Sequence, residues 1–99
     1  MLALEGIRVL DLSRLLPGPF CTQLLRDLGA EVIKIEDPQG GDYVRYTPPL
    51  LEDGNSVFFH TLNRGKKSVC LDLKSDTDRA RFLKLVKTAE AQYYLGKTF

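Results

Sequence analysis

The order of apolar and polar positions divides the chain into the short strands and helices of an α/β protein. Ile7-Arg8-Val9-Leu10-Asp11-Leu12 is dense in branched apolar residues and reads as a strand. Ser13 to Pro17 is a connection. Pro17 and Pro19 suit the first turn of a helix, where a missing N–H costs nothing. Phe20, Leu24, Leu25 and Leu28 then recur at helical spacing, with Thr22, Gln23, Arg26 and Asp27 on the other face. Gly29 stands where a helix C-cap belongs. Val32-Ile33-Lys34-Ile35-Glu36 reads as a second strand. Strand, helix and strand within about 30 residues is the length of a parallel crossover unit, which is right-handed in nearly all proteins.

From Asp37 to Gly65 the periodicity stops. Pro38, Gly40-Gly41, Pro48-Pro49 and Asp53-Gly54-Asn55 are turn chemistry. Val57-Phe58-Phe59 is an apolar island expected to dock this long segment. Ser68 to Leu73 reads as a third strand. Ser75 is a good N-cap with Asp78 three residues on, a capping-box-like pair. The helix it starts runs to about Thr88, with Phe82, Leu83 and Val86 on one face. Ala91 to Leu95 reads as the start of a fourth strand. The pattern predicts a parallel sheet with flanking helices, in a domain expected to continue past residue 99.

At 99 residues, 43% apolar and 27% charged, the chain fits one globular domain. Its net charge of +1 gives no field that favours nucleic acid or an anionic membrane, so neither is expected as a partner. No apolar run approaches the roughly 20 residues that cross a bilayer. The first residues have no signal-peptide pattern. A cytoplasmic protein is expected, with a mitochondrial or peroxisomal home as the alternative. Cys21 and Cys70 match no metal or redox spacing, and both are expected reduced and packed in the core.

Ligands of open α/β sheets sit beyond the carboxyl ends of the strands. Ser13 to Gly18, Asp37 to Asp42 and Leu73 to Ser75 should therefore meet at one edge. The first of these enters a helix N-terminus, a natural place for an anion, although no G-x-G-x-x-G fingerprint is present. Arg14 is there either as an anion contact or as a solvated loop charge. Asp37 occupies the place of a ribose carboxylate, or simply opens the Asp37-Pro38 turn. Arg64, Lys66 and Lys67 put three cations in four positions, a patch that suits a diphosphate or a solvated turn. Lys74 adds another cation near the ligand edge. His60 is the only histidine and has no acidic residue within four positions, so a packed or surface role is expected. No metal site is expected.

Leu4-Glu5-Gly6-Ile7-Arg8-Val9-Leu10-Asp11-Leu12-Ser13-Arg14 resembles the opening of the class III coenzyme A transferases, the family of formyl-CoA transferase and carnitine CoA-transferase. So do Pro17-Gly18-Pro19-Phe20-Cys21-Thr22-Gln23-Leu24-Leu25 and Asp27-Leu28-Gly29-Ala30-Glu31-Val32-Ile33-Lys34-Ile35-Glu36. Gly40-Gly41-Asp42, Asn63-Arg64-Gly65-Lys66-Lys67-Ser68 and Leu71-Asp72-Leu73-Lys74 follow in order. One such block is weak evidence, and the ordered set is specific.

The resemblance implies that residues 1–99 form part of a Rossmann-like, CoA-binding domain with a divergent tail at 91–99. It implies transfer of CoA from an acyl-CoA to a carboxylic acid. An enzyme aspartate attacks the thioester to give a mixed anhydride, and CoA returns to form an enzyme-bound thioester. It places the reactive end of CoA at Arg14, Leu15 and Leu16, and the adenosine and phosphate end at Leu71, Asp72, Leu73 and Lys74. Where some members carry an arginine for CoA after the second strand, this chain has Asp37. The family's nucleophilic aspartate lies beyond residue 99, so no catalytic residue is expected here and the chain alone should be inactive. Full-length members interlock as homodimers. Gln92 to Phe99 replaces the continuation usual in the family, as truncation, a frame change or alternative splicing would produce. An α-methylacyl-CoA racemase shares these motifs and is the alternative enzyme. A non-catalytic CoA-binding module is the alternative from another class.

Overall fold

The computed structural model describes residues 2–89 and 91–93. The elements are β1 (Arg8–Asp11), α1 (Pro17–Asp27), β2 (Glu31–Glu36), a 3-10 turn (Tyr43–Tyr46), α2 (Val57–Leu62), β3 (Lys67–Cys70), α3 (Asp76–Thr88) and β4 (Ala91–Tyr93). The sheet has the order β3-β2-β1-β4. All three pairings are parallel, with Val9 opposite Val32 and Ala91, and Ile35 opposite Val69. This is the parallel sheet with flanking helices that the patterning predicts and the Rossmann-like arrangement that the resemblance implies. The expected fourth strand is present as Ala91–Tyr93. The rest of the tail lies outside the described residues.

Alternation along the strands gives the sheet two unlike faces. Leu10, Leu12, Ile33, Ile35 and Leu71 form one core, covered by Phe82, Leu85 and Val86 of α3. Val9, Val32 and Ala30 form a smaller core on the other face, with Leu4, Ile7 and Leu25 of α1. Val9 and Val32 lie toward the start of this second face. Toward its carboxyl ends the same alternation brings Asp11, Lys34 and Glu36, all buried. One face is therefore dry from end to end, and the other changes from apolar to ionic at the edge where ligands are expected.

Helix α1 sits the opposite way round from its apparent amphipathicity. Its buried residues are Gly18, Pro19, Thr22 and Gln23, while Leu16, Phe20, Leu24 and Leu28 are each about half exposed. Thr22 points inward because its hydroxyl donates to Asp11 Oδ2 at 2.6 Å. Close packing on a polar cluster here outweighs burial of the leucine stripe.

The segment 37–65 carries more regular structure than its turn chemistry predicts. The apolar island is helix α2, capped by Ser56, whose Oγ accepts from the Phe58 N–H at 3.0 Å. Val57 and Phe58 remain exposed. Phe59 is the member that docks, with the Arg45 guanidinium 3.8 Å from its ring centroid. Strand β3 ends at Cys70, short of the predicted Leu73. The Leu71 N–H still donates to the Glu36 carbonyl at 3.0 Å, but Asp72 then turns the chain by accepting from the Lys74 N–H. The predicted capping box of α3 is half made. Ser75 Oγ accepts from the Asp78 N–H, whereas the Asp78 carboxylate takes the Asp72 N–H at 2.9 Å. Cys70 is exposed and not packed in the core; Cys21 is partly buried, and both are free thiols.

Two glycines in the left-handed region should respond differently to a methyl group. Gly54 (φ 83°) has nothing within 4 Å of a built Cβ, while at Gly41 (φ 71°) that atom lies 2.5 Å from Glu36 Oε1 and 3.1 Å from Arg45 Nε. Gly54→Ala is expected to cost about 1–2 kcal/mol, the conformational penalty alone. Gly41→Ala should cost about 2 kcal/mol more, because the Glu36–Arg45 pair must move. Denaturant midpoints of the two variants check the difference.

Candidate functional site

The three predicted loops do meet at the carboxyl edge, and buried ions organise their meeting. Asp11 ends β1 with its side chain fully buried, 3.0 Å from Lys66 Nζ. Asp11 Oδ1 accepts from the N–H and hydroxyl of Ser13. Lys66 also donates to Pro19 O, Thr22 Oγ1 and Asn63 Oδ1. One strand away, Lys34 Nζ lies 2.8 Å from Asp42 Oδ2, both side chains 1% exposed, and donates to Ser13 O at 3.1 Å. Glu36 ends β2 and takes Arg45 in a two-pronged pair, Nε to Oε1 at 2.8 Å and Nη2 to Oε2 at 2.7 Å. The Asp42 N–H and the Ser68 hydroxyl complete its shell.

These contacts set the charge states. Burial alone would raise the Asp11 carboxyl, but Lys34, Lys66 and the hydroxyls of Ser13 and Thr22 outweigh it and hold it below its usual range. Burial likewise opposes ionisation of Glu36; the Arg45 and Ser68 hydrogen bonds and the Asp42 N–H pull it down to about 2. For Lys66, burial wins and lowers the ammonium, with Asp11 opposing. Asp11 and Glu36 are thus structural anions, Asp42 is buried against Lys34, and none of the three has a face open to a substrate.

Of the concave regions lined by described residues, two hold predicted contact residues. A pocket of about 150 Å³ is lined by Asp37, Pro38 and Gln39 of the turn after β2 and by Asp72 and Lys74 after β3. A groove of about 450 Å³ is lined by Leu15, Leu16, Pro17, Val44, Thr47 and Phe58. The first offers an ammonium for phosphate and carboxylates for ribose hydroxyls. The second is apolar and suits an uncharged chain.

The predicted contact residues divide between these places. Asp72 and Lys74 are exposed in the small pocket, and Leu15 and Leu16 line the groove. Leu71 is buried in the sheet core and the partly buried Leu73 packs against it, so both side chains turn toward the core. Arg14 Nη1 donates to the Tyr43 hydroxyl at 2.9 Å, with the guanidinium 5.2 Å from that ring's centroid. Asp37 accepts from the Gln39 N–H, as a turn-opening aspartate does. The N-terminus of α1 has little to offer an anion. Pro17 and Pro19 supply no N–H, and Gly18 is buried.

The basic run does not form a patch. Arg64 pairs with Asp27 at 3.3 Å, Lys66 with Asp11 at 3.0 Å and Lys67 with Glu31 at 3.5 Å. His60 is a surface residue, as expected, but it has a carboxylate partner, Asp53, at 2.8 Å. Among the described residues no group of side chains is arranged to hold a metal ion, and no helix is long and apolar enough to cross a membrane. Sequence reasoning missed Lys34, Asp42 and Lys66 as the organising residues. The available signal was the alternation of Val32, Lys34 and Glu36, which puts a lysine and a glutamate on an otherwise apolar face.

Residues 4–93 match the family model described as CoA-transferase family III. The chain is 50% identical over 92 residues to the succinyl-CoA:mesaconate CoA-transferase of Haloarcula hispanica, covering 89% of this chain and 23% of that protein. It is 46% identical over 93 residues to the succinate–glutarate CoA-transferase of Agrobacterium fabrum, covering 88% of this chain and 23% of that protein. A crystal structure of a CAIB/BAIF family protein from Brucella suis superposes with a TM-score of 0.84 at 38% identity, over 92% of this chain and 25% of that one. The chain thus spans about a quarter of the length of these proteins.

Proposed function

Since this chain belongs to CoA-transferase family III, we propose that it forms the amino-terminal, CoA-binding part of an enzyme that moves CoA from an acyl-CoA to a carboxylic acid. The observation that carries this reading is the meeting of Asp72 and Lys74 with the Asp37–Gln39 turn in one pocket at the carboxyl edge. There the Lys74 ammonium meets phosphate and the carboxylates take ribose hydroxyls. Leu15 and Leu16, in the apolar groove, take the reactive half of the acyl thioester. The backbone of Leu71 and Leu73 contributes only by holding Asp72 and Lys74 in place.

We place the attacking aspartate outside these 99 residues, as the family resemblance implies. A nucleophilic carboxylate must reach the thioester carbon. Asp11, Glu36 and Asp42 are 0%, 4% and 2% exposed. Each is also occupied by cations or N–H groups. In the complete reaction an aspartate elsewhere attacks the thioester carbonyl and CoA leaves as thiolate. The thiolate then attacks the resulting anhydride, releasing the first acid and leaving CoA on the enzyme. The half-exposed stripe Leu16, Phe20, Leu24 and Leu28 is consistent with further protein covering α1, as pairing into a homodimer would provide. A cytoplasmic setting suits CoA esters and the exposed Cys70 thiol.

Titrating the chain with CoA while following amide resonances tests the reading. The Lys74 signal is expected to shift, and Lys74→Ala to bind about tenfold more weakly, the loss of one charge-assisted contact. No shift at Lys74 up to millimolar CoA discards the site. Turnover of acyl-CoA and acid by the chain alone would overturn the placement of the nucleophile.

A further inference from the structure

Asp42 belongs to the Gly40-Gly41-Asp42 motif, to which the proposed function assigns no role. Its carboxylate is buried against Lys34, and its Oδ1 accepts two backbone N–H groups, from Leu15 at 2.9 Å and from Val44 at 3.0 Å. Both residues line the apolar groove. Leu15 is also the one described non-glycine residue with positive φ, 64°, a conformation that leucine does not hold unaided. One oxygen thus fixes the strained Leu15 and the start of the 3-10 turn, two separate parts of the groove lining. The Asp42 N–H donates to Glu36 Oε1, which ties the clamp to the end of β2.

We infer that Asp42 is a positioning residue: by holding the Leu15 and Val44 backbones on a single oxygen, it sets the shape of the groove that takes the uncharged pantetheine and thioester half of acyl-CoA. The inference rests on the CoA-binding reading above and adds to it the residue that gives the groove its form. The physical basis is preorganisation. A wall held in its bound conformation before the ligand arrives loses less entropy on binding. The nucleotide half of CoA, bound beside Lys74, does not depend on this clamp.

The test compares CoA with its nucleotide half, 3′-phospho-ADP. In the wild-type chain, CoA should move the Leu15 and Val44 amide resonances together, and 3′-phospho-ADP should leave both in place. Two double variants isolate the clamp. Lys34→Met with Asp42→Asn keeps an oxygen for both N–H groups without burying a lone charge. Lys34→Met with Asp42→Ala removes that oxygen. The alanine pair should bind CoA about tenfold more weakly than the asparagine pair, while both bind 3′-phospho-ADP equally. The inference is overturned if the two pairs bind CoA alike, or if the alanine pair loses both ligands in the same proportion. Should the pairs fail to fold, the wild-type spectra decide. Leu15 and Val44 signals unmoved by CoA, or moved as far by 3′-phospho-ADP, overturn it. If CoA moves Lys74 but not Leu15 and Val44, the inference falls alone; if CoA binds nowhere on the chain, the reading beneath it falls as well.

Discussion

Asp11→Ala is expected to destabilise the chain by roughly 3–5 kcal/mol, the range for removing one partner of a buried ion pair. The substitution leaves the Lys66 ammonium, whose side chain is 1% exposed, without its counter-ion. The remaining partners of Lys66, at Pro19, Thr22 and Asn63, are neutral oxygens that solvate the ammonium but do not neutralise it. It also frees the Ser13 N–H and both hydroxyls that Asp11 accepts. Lys66→Met should cost less, because Asp11 would keep those donors and the nearby charge of Lys34. Asp11→Leu with Lys66→Met removes both charges and should recover much of the loss, since an apolar pair of similar volume replaces an ion pair at little cost. Denaturant midpoints for Asp11→Leu alone, Lys66→Met alone and the double variant give the coupling energy. A double variant as unstable as the sum of the singles would show that the pair does not act as a unit.

The same pair explains which parts of the molecule were legible in the amino-acid sequence. Strands β1 and β2 follow from dense branched apolar runs and lie within about two residues of their predicted ends. The parallel order follows from the crossover length. Helix α1 was legible as a helix but not in its orientation, because Thr22 is drawn inward by Asp11 and by Lys66, the latter 44 residues away in sequence. A helical wheel treats Thr22 and Gln23 as the wet face and has no access to that contact. The basic run fails for the same reason. Arg64, Lys66 and Lys67 look like one patch in sequence, yet each meets a different carboxylate, on α1, β1 or β2. Of the carried-over contacts, Asp72 and Lys74 emerge exposed because the chain turns right after β3. Leu71 and Leu73 alternate into the core because they continue the period of the strand. Several of the motif residues that make the family recognisable (Asp11, Lys34, Glu36, Asp42, Lys66) build the buried scaffold beneath the ligand edge, with the Ser68 hydroxyl bonded to its margin.

Glu36 should make the fold acid-sensitive in a definite window. In the fold its carboxyl sits at about 2, against the ordinary 4.5, and the side chain is 2% exposed, so solvent screens the pair little. A carboxyl lowered by folding stabilises the native state above its unfolded value. The contribution should be complete above pH 4.5, should decline as pH falls toward 2, and should vanish below it. The full contribution is roughly 3 kcal/mol. Protonation removes one acceptor from the two-pronged Arg45 pair and leaves a guanidinium stacked on Phe59 without its counter-ion. Glu36→Gln mimics that state at every pH. It should therefore be about 3 kcal/mol less stable than wild type at pH 7 and converge with it near pH 2. Asp11, also lowered by its environment, adds acid sensitivity of the same sign to both proteins, so the difference between them isolates Glu36. Urea midpoints for the two proteins between pH 7 and pH 2 measure it, and a difference that stays constant across that range would mean the Glu36–Arg45 pair does not set the acid limit of this fold.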